Sequence, residues 1–146
     1  MSNGTPNPAE SQEVRELSMP SSGDPGKVLS VNVGVVREVE WKGKARATGI
    51  WKYPVAGRIP VRGVNLEGDE QADRHFHGGP RKSVYAYAQE DYLWWEEQLG
   101  LAISPGTFGE NLTLRGVAIE RALIGERWRI GTAALEVTEP RVPCWK

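Results

Sequence analysis

The last seven residues, Pro140-Arg141-Val142-Pro143-Cys144-Trp145-Lys146, hold the most reactive side chain type in the sequence. Cys144 is the only cysteine of the chain. Prolines at 140 and 143 fix the backbone on either side of Arg141 and stop a strand ladder from continuing. Cys144 is thereby expected on a rigid turn at a strand end, with Arg141 and Lys146 close in sequence. Cations nearby favour the thiolate, which is both the nucleophile and the soft metal ligand. A buried, inert cysteine is the competing reading, since this residue type is often found so.

A second polar cluster runs from Gly68 to Pro80 and contains both histidines, His75 and His77, with Asp69, Glu70, Asp73 and Arg74. Gly78-Gly79 lets the backbone approach a ligand closely and can offer adjacent N–H groups to an anion. The two histidines share a side if the segment is extended, as a zinc pair would. A closed zinc site would then need carboxylates, so contact with an anionic cofactor through His77 and the glycines is the better reading. A hydrogen-bonded structural turn explains the same residues. In the third cluster, Pro105 to Thr113, the pair Glu110-Asn111 enters a strand between glycines and could orient a polar ligand. It could equally close a turn through side-chain-to-backbone bonds. The fourth, Trp51 to Arg58, sets Lys52 and Arg58 beside aromatics and reads as a solvated edge.

These clusters need strands to position them, and the chain supplies many short ones. Its 17 glycines and 10 prolines are spread along the sequence, as expected of short elements joined by turns. Val28–Val36 alternates and is β-branched. Further strands are expected at Ala47–Tyr53, Arg58–Val64, Ser83–Tyr87, Asn111–Leu114, Glu126–Ile130 and Ala133–Thr138. Gly131-Thr132 suits a two-residue hairpin between the last two. One helix is expected, Gln89–Leu99, with acidic residues early, Gly100 as its stop, and Tyr92, Trp95 and Leu99 on a core-facing side.

Residues 1–26 are polar and rich in Ser, Pro and Gly. They bury too little to offset their ordering entropy and are expected to form a disordered leader, with at most a short helix at Glu10–Leu17. Residues 27–146 form the single folded domain. The hydrophobic fraction is 39%, the charged fraction 25% and the net charge -1, which is ordinary for a globular chain and gives no bulk attraction to nucleic acid or an anionic membrane. No apolar run reaches the ~18 residues of a membrane span, and no secretory signal is seen. One cysteine fits a reducing compartment, so a cytoplasmic location is expected.

Taken together, Gly68-Asp69 with Ala72-Asp73, His77-Gly78-Gly79-Pro80 with Val84 to Tyr87, Phe108-Gly109-Glu110-Asn111-Leu112, and Pro140-Arg141 with Pro143-Cys144 and Lys146 resemble the MOSC family. This is the domain found at the C-terminus of molybdenum-cofactor sulfurases and as stand-alone bacterial proteins. The resemblance runs from about Lys27 to Lys146 and is nearest to the small bacterial branch linked to resistance against N-hydroxylated purine analogues. It implies a mainly β fold, a MOSC-type β-barrel with one or two helical insertions. It also implies a molybdenum cofactor, a pterin (molybdopterin) carrying molybdenum or tungsten, with Cys144 as catalytic residue and metal ligand. Arg58, His77, Gly78, Gly79, Glu110, Asn111 and Arg141 map onto the mouth of the cofactor pocket. The activity implied is reduction of small N-hydroxylated molecules with electrons from an external donor protein, for the chain has neither a Rossmann glycine signature nor iron–sulfur cysteines. The alternative is a non-enzymatic module that binds the cofactor or carries sulfur as a Cys144 persulfide. Two departures stand out. Gly125-Glu126 replaces the usual Gly-Asp, and the sequence ends two residues after Cys144 where relatives add strands. Such a barrel would lack its last strands and leave Ala133–Thr138 with an open edge, from which homodimers are expected.

Overall fold

The computed structural model describes residues 15–16 and 26–142. In chain order its strands are β1 (Arg15–Glu16), β2 (Lys27–Val33), β3 (Arg37–Trp41), β4 (Lys44–Thr48), β5 (Tyr53–Val55), β6 (Val61–Arg62), β7 (Asn65–Leu66) and β8 (Ala86–Ala88). Helix α1 (Gln89–Leu99) follows, then β9 (Leu112–Arg115), β10 (Arg127–Ile130) and β11 (Ala133–Glu136). Short 3-10 turns lie at Pro80–Lys82 and Ile119–Arg121. The fold is mainly β with a single α-helix among the described residues, and none of its helices is long and apolar enough to cross a membrane.

The central sheet has the order β5-β2-β9-β8, and a second sheet has the order β1-β10-β11. β3-β4 and β6-β7 stand as separate pairs, so the described strands do not close into a barrel. Two residues of the expected leader, Arg15–Glu16, pair in parallel with β10, while residues 1–14 and 17–25, with most of the short helix expected at Glu10–Leu17, lie outside the described residues. An open strand edge offers unpaired N–H and C=O groups, and these can recruit even a polar segment.

A bulge in β2 sorts its side chains between two faces. Val28 opposes Leu114, but Ser30 opposes Thr113, so the register shifts around Leu29. With the extra residue, Val28 and Val31 can both pack on the apolar face although they are three positions apart. That face joins Leu112 and Leu114 to Trp128 of β10, and Val84, Val117 and Leu135 pack around them. Full burial of a Leu contributes roughly 1.5–3 kcal/mol, so this junction of the two sheets is the main apolar store of the fold. The opposite face of the central sheet carries Asn32 and Thr113, both fully buried, together with Tyr87, which pairs with Thr113 in register.

Helix α1 spans the expected residues, but only part of its apolar side is covered. Tyr92 is buried and packs against Phe108 and Tyr87, whereas Leu99 is 55% exposed. The three residues do not share one interface, because the helix meets the sheet only through its first turns and the aromatic cluster. The expected strand Ala47–Tyr53 breaks after Thr48 and resumes at Tyr53, and Arg58–Val64 shrinks to Val61–Arg62 between Pro60 and Gly63.

Candidate functional site

The polar groups of the central sheet converge at the start of β9. Asn111 donates its backbone N–H to the Tyr85 carbonyl at 2.7 Å and accepts the Tyr85 N–H on Oδ1 at 3.1 Å. Its Nδ2 donates to the Asn32 carbonyl at 3.2 Å and to Asp69 Oδ2 at 3.0 Å. The Asn111 side chain is therefore committed to holding β2, β8 and the loop after β7 together. Asp69 completes that junction by accepting the Gly34 N–H at 2.8 Å and the Lys52 ammonium at 2.5 Å. The Lys52 and Asp69 side chains are 8% and 1% exposed, so this ion pair is an interior one. A buried pair of this kind is strongly destabilising to break from one side, because the survivor is left uncompensated.

Glu110 lies beneath this junction and is wholly buried. Its Oε1 accepts the Tyr92 hydroxyl, the Gly106 N–H at 2.7 Å, the Thr113 hydroxyl at 2.7 Å and, at 3.5 Å, Asn32 Nδ2. Its Oε2 has no partner. Burial, together with the hydrogen bond to Glu110, pushes the Tyr92 phenol well above its ordinary range. Gly106 can approach so closely because it has φ +91°; a Cβ there would sit 2.3 Å from the Lys52 carbonyl oxygen.

Over this floor opens a small polar cleft of about 50 Å³. Its walls come from Gly49, Ile50 and Lys52, the segment Asp69–Asp73 with His77, Lys82, Ser83 and Tyr85, Gly109 with Asn111, and Arg141. The Arg141 guanidinium lies 5.2 Å from the centre of the Tyr85 ring, a cation–π contact. Burial and the neighbouring Tyr87 push the Tyr85 phenol up to about 12, and Arg141 opposes this only in part. Tyr85 is thus a neutral hydrogen-bond donor at ordinary pH. Lys82 donates to the Phe76 carbonyl at 2.7 Å and lies 3.6 Å from Glu139.

The loop that carries the histidines is built from side-chain clamps. Gln71 accepts the Gly79 N–H at 2.8 Å and donates to the carbonyls of Val64 and Ser83. A Cβ on Gly78 would fall 2.4 Å from Gln71 Oε1, so a side chain there would displace the Gln71 clamp. Asp73 accepts the N–H groups of His75 and Phe76, each at 2.9 Å.

His77, Asn111 and Arg141 therefore share one cleft. Glu110 lies under it, Gly78 lines a neighbouring groove, and Gly79 is buried with its N–H engaged by Gln71. Arg58 is exposed and lines neither the cleft nor the groove. Cys144 lies outside the described residues, three positions beyond Arg141. Sequence reasoning missed Lys52, Asp69, Lys82 and Tyr85. The segment Trp51 to Arg58 was expected to be solvated, yet Lys52 turns inward to meet Asp69. The signals were present in the Gly68-Asp69 and Tyr85 motif positions, but the Lys52 partner lies 17 residues away.

As a donor set, Arg141, Lys82 and the Tyr85 hydroxyl suit a polar anionic ligand such as a pterin phosphate. Among the described residues no group of three or more His, Cys, Asp or Glu could hold a metal ion, so His75 and His77 do not form a zinc site with the carboxylates there.

The MOSC domain family model matches residues 73–146. YflK of Bacillus subtilis (strain 168), described as an uncharacterized protein, is 44% identical over 119 residues, covering 82% of this chain and 54% of its own length. A protein of Gibberella moniliformis (strain M3125 / FGSC 7600) described as a reductase is 29% identical over 139 residues, 92% of this chain and 24% of its own length. The crystal structure of YiiM from Geobacillus stearothermophilus superposes with a TM-score of 0.57 at 30% identity, covering 82% of this chain and 53% of that one. The chain thus spans about half the length of YflK and of the solved YiiM, and less of the reductase. The family model reaches across the His77 loop, Glu110-Asn111 and Arg141, and the chain belongs to the MOSC domain family.

Proposed function

We propose that this chain holds a molybdenum cofactor and belongs to a reductase of N-hydroxylated small molecules. The observation that carries the reading is the cleft itself, where Lys82, Tyr85, Asn111 and Arg141 from separate motif segments meet three residues upstream of Cys144. The likeness to a protein described as a reductase supports it. In this reading Arg141 and Lys82 donate to the phosphate of the pterin. Tyr85, protonated at working pH, donates a hydrogen bond to an oxygen of the ligand. The Asn111–Asp69–Lys52 junction keeps the floor rigid, so those donors hold their spacing without reorganising. Cys144 supplies the one soft ligand of the chain to molybdenum or tungsten. When bound, the group supplies the two-electron chemistry of the reaction. The overall change is cleavage of the N–O bond: the N-hydroxyl compound takes two electrons and two protons and leaves as the amine and water. The electrons come from an external donor protein. We read the two sheets as parts of a MOSC-type barrel, and the location as a reducing, cytoplasmic one, where a thiolate persists.

The test is expression in a cofactor-competent host, elemental analysis for molybdenum and tungsten, and turnover of 6-N-hydroxylaminopurine to adenine with reduced viologen. Metal-bearing protein should turn over, and Cys144→Ala should abolish it. Bound cofactor or sulfane sulfur without turnover of any N-hydroxylated base or amidoxime would replace this reading with that of a carrier module.

A further inference from the structure

Beside the cleft lies an open groove lined by Arg74, His75, Arg81 and Lys82, with Glu139 as its carboxylate. Lys82 lines both the groove and the cleft, so the two adjoin. The chain as a whole has a net charge of -1, so three cations against one carboxylate represent a local segregation of charge. Glu139 offsets it weakly: it lies 3.9 Å from Arg81, whose side chain is 76% exposed, and 3.6 Å from Lys82.

An aromatic ridge stands next to these cations. Phe76 is 64% exposed, and its ring packs edge-on against His75 at 4.7 Å. It is not a floppy tip. Asp73 holds the His75 and Phe76 N–H groups, and the Lys82 ammonium holds the Phe76 carbonyl. A rigid exposed aromatic flanked by arginines is the composition of an interface anchor.

We propose that this ridge and groove are the docking surface for an acidic electron-carrier protein of the ferredoxin or flavodoxin class. The inference rests on the reductase reading, which requires such a donor. Two one-electron carriers are each oxidised once for every N–O bond broken, and the oxygen leaves as water with two protons from solvent. Charge complementarity selects an acidic partner and speeds its encounter, while Phe76 supplies the desolvated contact. Nucleic acid is disfavoured as occupant by the overall charge of -1 and by the narrow extent of the patch.

The experiment titrates full-length protein with an acidic [2Fe–2S] ferredoxin by calorimetry, at about 0.01 M and about 0.15 M salt, where the screening length falls from about 30 to about 8 Å. Binding at low salt should weaken about 10-fold on adding salt. Arg74→Glu and Phe76→Ala should each weaken it about 10-fold, and Arg46→Glu on β4 should not. Circular dichroism melts establish that each variant is folded. Where loaded protein turns over with reduced viologen, Arg74→Glu should leave that rate intact and slow the ferredoxin-driven rate. Loss of viologen turnover in wild type removes the reductase reading, while the titration still decides the surface. Equal ferredoxin binding by wild type and Arg74→Glu, or preferential binding of a DNA duplex, overturns the proposal.

Discussion

Replacing Glu110 by alanine separates two roles that a motif glutamate can have. As a ligand-contacting group at a pocket mouth it would be dispensable for folding, and its loss would change stability by no more than about 0.5 kcal/mol. The structure instead gives it an interior role. Truncation leaves the Tyr92 hydroxyl, the Gly106 N–H and the Thr113 hydroxyl without their acceptor in a site closed to solvent. Asn32 Nδ2 loses little, because it keeps the Glu110 carbonyl at 3.2 Å and Thr113 Oγ1 at 3.1 Å. Each stranded donor costs about 1–3 kcal/mol, and removing a buried carboxyl oxygen that has no partner gives part of that back. The net expectation is a loss of about 3–5 kcal/mol, a large share of the 5–15 typical of a domain. Glu110→Gln preserves the acceptor at Oε1 but places two N–H donors where Oε2 has no partner, so it should lose about 1–3 kcal/mol. Urea unfolding followed by tryptophan fluorescence and far-ultraviolet circular dichroism measures all three proteins. An alanine variant within about 0.5 kcal/mol of wild type would refute the interior role.

Further outcomes follow from other parts of the structure. Lys52→Met should cost about 3–5 kcal/mol by stranding Asp69, while Arg58→Ala should stay within about 0.5, as judged by the same urea midpoints. Gly106→Ala, which forces a Cβ at positive φ against the Lys52 carbonyl, should cost about 2–4 kcal/mol in a thermal melt. Tyr85 and Tyr92 bind their protons more tightly when folded, so stability should be intact below pH 10 and fall as the pH rises from 10 toward 12; a melt series in which Tyr92→Phe shows the same alkaline fall would count against this. β11 lies at the edge of its sheet, so sedimentation should reveal concentration-dependent dimers, and a strictly monomeric protein would show that this edge is protected.

The elements that could be read from the sequence were those with a pattern tied to one packed face. β2, β9 and the hairpin of β10 and β11 with its turn at Gly131-Thr132 carry that pattern, while helix α1 was legible from its acidic first turn and its Gly100 stop. The hairpin of β3 and β4 does not. Its residues are mostly exposed on both faces, and what holds it is the ladder and the tight turn in which Lys42 and Gly43 both have positive φ. In the site, His77, Asn111 and Arg141 stood out as polar residues set among glycines and prolines. Glu110 could not be told from a ligand, because a carboxylate that bridges buried donors has the same sequence neighbourhood as one that faces solvent. The Lys52–Asp69 pair was invisible for a different reason: each residue belongs to an ordinary polar stretch, and only the fold brings the two together.

The double tie between Asn32 and Asn111 also sets how the molecule must come apart. The Asn32 N–H donates to the Asn111 carbonyl at 2.8 Å, and the Asn111 side-chain Nδ2 answers with a bond to the Asn32 carbonyl, across 79 residues of chain. A contact with that separation forms only after a long loop has closed, so it belongs to slow, late folding events rather than to local ones. Its rupture likewise requires β2 and β9 to separate, which destroys the core on the other face of the same sheet. In hydrogen exchange the Asn32 and Asn111 amides should therefore open only with the whole domain, while those of the Asp73–Phe76 turn exchange through local fluctuations. A ligand can enter this cleft past a moving rim, but never by loosening its floor.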